Sequence, residues 1–328
     1  MRRPTRASTQ LPPYIESEGT GIQMQNVQIQ QRRRPSLLRM IGMFLLAVFV
    51  IMFLLNYILP AIGVGGCVGE IKIDGEIMAS SSYGAVSSDA IVSFITEAEL
   101  RPDVKGIFIE INSPGGSAVA SKEIYDALKS SRKPTIAYIR ETGASGGYYV
   151  ALGADKIVSN PLAVTGSIGV RTTSYDLSSL LSKLGINTTI VKSGEMKDIG
   201  DIYRPVTDEE KALIQGIINE INDDFKGTVI EARTGKPRFS ASSIQEISDA
   251  RIMTGKHAYE LGLVDELASK QDAMASFGEA VGLGEDPSVC AFRQEQGFIE
   301  SMLSSMGRGL GESLSKNINT GAVRVEYR

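Results

Sequence analysis

A serine set between glycines, Gly143-Ala144-Ser145-Gly146-Gly147, is where residue types and spacing in this chain could first do chemistry. The pattern is G-x-S-x-G. Glycines on both sides permit a tight strand-to-helix turn and let a substrate come close to the hydroxyl. The start of the following helix would favour negative charge developing beside Ser145. The same five residues also suit a plain packing turn. A serine hydroxyl needs a neighbouring base before it attacks a carbonyl. His257 is the single histidine. Glu246 and Asp249 are its nearby upstream acids, and GKHAYELG around it reads as a short helix. A lysine amine is the other route. Lysine ordinarily titrates at about 10.4 and must be desolvated to act near neutrality. Lys192 and Lys197 follow the apolar end of an expected strand, in a loop that could return to Ser145. Spacing does not choose between them. Ser113-Pro114-Gly115-Gly116-Ser117 follows another strand and opens a helix, and its consecutive glycine amides could face a substrate carbonyl oxygen. It lacks the GK[ST] ending of a nucleotide loop. GVGG at 63–66 lacks the third glycine of a dinucleotide site. One histidine excludes a multi-histidine metal site, so neither metal nor cofactor is expected.

The elements that must position these residues follow from hydrophobic periodicity. Strands are expected at 68–73, 106–111, 135–139, 156–159 and 188–192. Helices are expected at 87–100, 117–128, 148–152, 177–184 and 240–247. Thr207-Asp208-Glu209-Glu210 reads as a capping box opening a long helix to about residue 233. That helix carries an apolar stripe from Leu213 to Val229, expected to pack on the core, with a subunit contact as a further use. The alternation predicts α/β layers with largely parallel, buried strands. Residues 269–328 are weakly patterned and are expected as a peripheral extension.

The 328 residues carry a net charge of −4, with 42% hydrophobic and 22% charged residues, which excludes a mostly disordered chain. Two cysteines, Cys67 and Cys290, exclude a dense disulfide scaffold, and no intrachain bond between them is expected. Residues 1–39 hold seven arginines and two acids and read as a flexible basic cytoplasmic arm. Residues 40–59 hold no charge and suit a transmembrane helix. Residues 60–67 then form a linker. Arginines before the apolar run place the arm inside and the rest outside the cell by the positive-inside rule. Mild acidity and the absence of tryptophan argue against nucleic acid as a partner.

INSPGGS at 111–117, TGASGGYY at 142–149, TGSIGV at 165–170, KSGEMKD at 192–198 and GLVDELA at 262–268 occur in that order. This set resembles the signal peptide peptidase A family, membrane-anchored serine proteases of the ClpP/crotonase fold, in its short form. The resemblance covers residues 68–268. It implies Ser145 as nucleophile, Lys197 as general base, Gly115 and then Gly116 as oxyanion amides, and Ser167 as the residue orienting the lysine. It further implies ATP-independent hydrolysis of signal peptide remnants and other membrane-associated peptides, the lipid bilayer as a partner, and homo-oligomeric rings. Two other readings stay open: an esterase using Ser145 with His257, and a non-catalytic membrane scaffold of the same fold.

Overall fold

The computed structural model describes residues 37–61, 65–80 and 85–293. Most of the expected arm, part of the linker and residues 294–328 lie outside them. The chain divides into two compact units, Met1–Phe53 and Leu54–Arg328. Helix α1 (Leu37–Ala61) begins in the first. Its side chains described from Arg39 to Leu55 are all exposed. Among the described residues no helix is long and apolar enough to cross a membrane. This corrects the expected transmembrane helix and everything built on it. The membrane anchor, the bilayer as partner, the single-pass placement with an outer catalytic domain, and membrane-associated peptides as substrates all fall with it.

Strand β1 (Cys67–Asp74) is followed by the short strands β2 (Glu76–Met78) and β3 (Ala85–Ser87). Ser87 caps helix α2 (Ser88–Leu100) by accepting the Ala90 N–H. Next come β4 (Val104–Ser113) and α3 (Ala118–Lys129), capped by Ser117. Strand β5 (Thr135–Ala144) runs directly into α4 (Gly146–Ala151). Then follow β6 (Lys156–Ser159), β7 (Val164–Gly166) and α5 (Ser178–Lys183). A 3₁₀ turn, Glu195–Asp198, precedes α6 (Asp208–Arg233), whose expected capping box forms between Thr207 and Glu210. The chain continues through α7 (Ala241–Glu246), β8 (Ile252–Thr254), α8 (Gly255–Glu260), β9 (Glu266–Leu267), α9 (Lys270–Ala280) and β10 (Val289–Phe292).

Among the described residues these strands build an eight-stranded sheet in the order β10-β1-β4-β5-β6-β9, with β7 on β5 and β8 on β7. Every pairing is parallel except β7 with β8. Parallel strands covered on both faces need apolar residues on both, which GIFIEI in β4 supplies. One face packs Ile109, Ile91, Ile124 and Tyr148; the other packs Phe108, Tyr138 and Phe277. The α/β layering is thus as read from the sequence. Residues 188–192 do not form the expected strand. They belong to a segment, 171–209, that is exposed along most of its length and pairs with no sheet edge. In α6 only the second half of the stripe is buried, at Phe225 and Val229, while Leu213 and Ile217 are about half exposed. Buried Arg233 ends this helix on Asp265 Oδ1 at 2.7 Å and the Gly262 carbonyl at 2.8 Å, which gives the GLVDELA run a structural task.

The segment expected as peripheral enters the sheet. β10 pairs along β1 from Val68↔Val289 to Ile71↔Phe292, and α9 lays Phe277 on Phe108. Lys270 of α9 donates to Glu70 and Glu110, both at 2.7 Å. Burial pushes the Glu110 carboxyl up, but Lys270, Lys72 and Arg140 outweigh it and hold it below its ordinary value. Contrary to expectation, Cys67 and Cys290 form a disulfide, because β10 returns beside β1 and brings their Cα atoms to 5.7 Å. A weakly patterned strand gives no sequence signal for that return. Closing a loop with a sequence separation of 223 residues restricts the unfolded chain. Replacing both cysteines with serine should lower stability by about 2–4 kcal/mol, measured by urea unfolding under non-reducing conditions. An unchanged urea midpoint would show that β10 needs no covalent tie.

Candidate active site

β4 and β5 run in parallel register from Ile107↔Thr135 to Ile111↔Ile139, slip, and meet again at Ser113↔Gly143. That register sets the SPGG turn beside the turn that carries Ser145. Further along β5, Thr142–Ala144 pair with β7, and the Ser145 N–H donates to the Gly166 carbonyl at 2.9 Å. Ser145 occupies the N-cap of α4 with φ 52° and ψ −122°, and its side chain makes no capping bond. A serine at that position ordinarily gives its oxygen to the helix amides. Positive φ in a non-glycine residue costs on the order of 1–3 kcal/mol and persists only where its surroundings enforce it. Behind the turn, Tyr148 Oη donates to the Leu263 carbonyl at 2.8 Å, and Tyr149 Oη donates to Asp224 at 2.9 Å. Full burial pushes the Tyr148 hydroxyl far above its ordinary value, so it stays a neutral strut.

The SPGG turn packs against this serine without room for side chains. Gly115 has φ 107°, and a Cβ there would lie 2.8 Å from Gly146 N and 2.9 Å from Ser145 Cβ. Gly116 has φ 154°, and a Cβ there would lie 2.0 Å from the Ile77 carbonyl oxygen. Ile77 clips the turn on both sides, donating its N–H to Gly115 O at 2.9 Å and accepting from Ser117 N at 2.8 Å. The Gly115 N–H donates to Ser113 Oγ at 3.1 Å. Among the described residues the Gly116 and Gly146 N–H groups have no acceptor. The Gly146 amide is not among the oxyanion donors expected from the sequence, which are Gly115 and Gly116. Its signal lay in the G-x-S-x-G pattern itself, since the amide after a nucleophile at a helix start is placed to meet an oxyanion.

Ser167 also has positive φ, 51°, and directly follows Gly166, the acceptor of the Ser145 amide. Its own N–H donates to the Arg251 carbonyl at 2.8 Å. The structure therefore brings Ser145, Gly115, Gly116 and Ser167 into one region through β4, β5 and β7. Lys197 is exposed on the 3₁₀ turn, and among the described residues no hydrogen bond or ion pair ties its side chain to them. Among the described residues its Nζ makes no hydrogen bond or ion pair. Lys192 does: its Nζ donates to the Glu195 carbonyl at 2.8 Å and to Asp198 Oδ1 at 2.7 Å.

His257 lies on α8 with Nε2 2.7 Å from Glu246 Oε1 and Nδ1 3.5 Å from Glu260 Oε2. The Glu246 hydrogen bond, aided by Glu260, raises its pKa above the ordinary value. Carboxylates at both ring nitrogens favour the doubly protonated ring, which cannot accept a proton from a serine. Among the described residues one group has metal-ligand spacing, Cys67, Asp103 and Cys290, and both thiols are spent in the disulfide.

Peptidase family S49 matches residues 127–284, and the Clp protease family matches residues 67–163. A provisionally named protease of Methanocaldococcus jannaschii is 34% identical over 230 residues, which is 68% of this chain and 72% of that protein. A provisionally named signal peptide peptidase of Enterococcus faecium is 34% identical over 206 residues, 62% of this chain and 58% of that protein. Among solved structures, a mutant of the 1510-N membrane-bound stomatin-specific protease aligns with a TM-score of 0.46 and 20% identity, covering 70% of this chain and 99% of that one. The family and sequence matches support serine-protease chemistry, and the absence of a membrane-spanning helix among the described residues corrects the membrane-anchored form in which the family was expected. The chain is a serine protease and belongs to peptidase family S49.

Proposed function

We propose that this protein hydrolyses peptide bonds with Ser145 as nucleophile and Lys197 as general base. The observation that carries the reading is the Ser145 turn: a strained N-cap serine whose hydroxyl makes no capping bond, beside two glycine amides with no acceptor. Ser145 Oγ attacks the scissile carbonyl carbon, and its proton passes to the neutral Lys197 amine. The oxyanion faces the Gly116 and Gly146 amides, with Gly115 holding the turn that presents them. Lys197 then protonates the departing amine, and later takes a proton from the water that cleaves the acyl-enzyme. Ser167, one residue beyond the carbonyl that holds the Ser145 amide, orients the lysine. The reading requires the Lys197 turn to reach Ser145 in the working enzyme. Support for Lys197 over Lys192 comes from their bonding, since Lys192 is engaged as a strut and Lys197 is not.

Ser145→Ala and Lys197→Ala should each abolish peptide hydrolysis, while His257→Ala should leave kcat/KM within about twofold. Lys197→Arg should also fail, because a guanidinium stays protonated. The parent's kcat/KM should rise with pH, since only a neutral amine accepts the serine proton. Full loss with His257→Ala and activity in Lys197→Ala would reverse the assignment in favour of an esterase-like histidine base. Gly116→Ala should lower kcat about a hundredfold, the scale of one lost oxyanion donor, because its methyl must displace the Ile77 carbonyl. Steady-state kinetics paired with thermal unfolding separates that loss from misfolding. Unchanged kcat would remove the SPGG turn from the oxyanion site.

A further inference from the structure

A cluster of paired charges begins at the residue after Lys197. Asp198 is 6% exposed. It accepts Arg204 Nε at 2.8 Å, Arg204 Nη2 at 2.7 Å and Lys192 Nζ at 2.7 Å. The same guanidinium reaches Glu210, with Nη1 2.9 Å from Oε2 and Nη2 on Oε1. Glu210 is 3% exposed and also accepts the Thr207 N–H at 2.9 Å in the capping box of α6. Arg204 pulls both the Asp198 and Glu210 carboxyls well below their ordinary values. Two cations and two carboxylates thus form a neutral set. It ties the turn to residue 204 and to the first turn of a 26-residue helix.

Packing does not supply this restraint. The turn Glu195–Asp198 buries no apolar residue, so apolar contacts hold it weakly. A guanidinium shared between two carboxylates has directional bonds on both sides, which a point charge such as lysine does not provide. Lys192 adds a second strut inside the turn. Lys197, in the middle of this bonding, keeps its own Nζ out of it. The backbone is held while the amine stays available.

We propose that Arg204, bridging Asp198 and Glu210, is a positioning residue that fixes the shape of the Lys197 turn and sets the charge beside the amine. The inference rests on the reading of Lys197 as general base. The charged side chains of its loop are Lys192, Glu195, Asp198, Asp201 and Arg204, and Glu210 of α6 is tied to them through Arg204. Removing one charge from this set must shift the amine in a direction fixed by sign. Arg204→Gln leaves excess negative charge, favours protonated Lys197 and moves the rising limb of kcat/KM to higher pH. Asp198→Asn leaves excess positive charge and moves the limb to lower pH. Each shift should be roughly half a unit or more. Loss of geometry should lower kcat about ten- to a hundredfold in both. Arg204→Lys keeps the charge but not the fork, so it should restore the position of the limb without restoring full kcat.

The test is peptide hydrolysis against pH by the full chain and these variants, with thermal unfolding and labelling of Ser145 by a serine-reactive phosphonate. Should Asp198→Asn fail to fold, Glu210→Gln removes a negative charge from the same set and should move the limb the same way. Opposite shifts for Arg204→Gln and the carboxylate variants support the proposal. Limbs that stay in place, or move together, overturn it even if the rates fall, because a cluster that merely caps α6 would lower stability and rate without that signature. Turnover that survives Lys197→Ala would instead sink the base assignment, a result read independently of the Arg204 series.

Discussion

Backbone against backbone, with no side chain between, is the contact on which the candidate site depends. The ends of β4 and β5 converge so closely that a single methyl on Gly115 would press on Gly146 N and Ser145 Cβ. Parallel pairing supplies the approach, and the slip in register between Ile111 and Ser113 aims the SPGG turn across the serine. The strain in Ser145 is held from three sides: the Gly166 carbonyl on its amide, the glycine turn over its Cβ, and the buried tyrosines of α4 behind it. With the strand ends held, the orientation of the hydroxyl follows from the sheet rather than from any bond made by the hydroxyl.

The rest of the molecule is fastened to that sheet largely by ions set at element ends. Arg233 closes α6 on Asp265, whose other oxygen accepts the Ile157 N–H at 2.8 Å beside β9. Lys270 begins α9 on Glu110. Each pair joins residues far enough apart that neither partner could be positioned by its own helix or strand. Buried charges are costly unless paired and hydrogen-bonded, so these contacts specify docking geometry more than they add net stability.

Much of this was readable from the residues. The dense β-branched runs at 106–111 and 135–139 became central strands, and the serines and threonines before α2, α3 and α6 became caps. The proximity of Ser145 and the SPGG turn followed from their places at the ends of adjacent strands. Three features were not readable, for separate reasons. Residues 188–192 have strand-like composition, but they lie exposed and pair with no strand. The stripe of α6 has a helical period, yet period alone does not say which half meets the core, and Leu213 and Ile217 face outward. Val289–Phe292 is too short and weakly patterned to announce an edge strand, so the partner of Cys67 stayed hidden. The 40–59 run shows the converse case, where apolar composition suggests a membrane span and no helix among the described residues is long and apolar enough to be one. Gly146 was overlooked because its contribution is an amide, which residue type alone does not advertise.

The bond between Cys67 and Cys290 makes the catalytic body a covalent ring. The exposed stretch 171–209 lies inside that ring. A peptide bond broken there, by another protease or by a second copy of this one, opens the ring without dividing the molecule. Both halves would stay joined through the cystine, with β1 and β10 still paired at one edge of the sheet. The nick would leave the apparent mass unchanged under oxidising conditions, and two fragments would separate only after reduction.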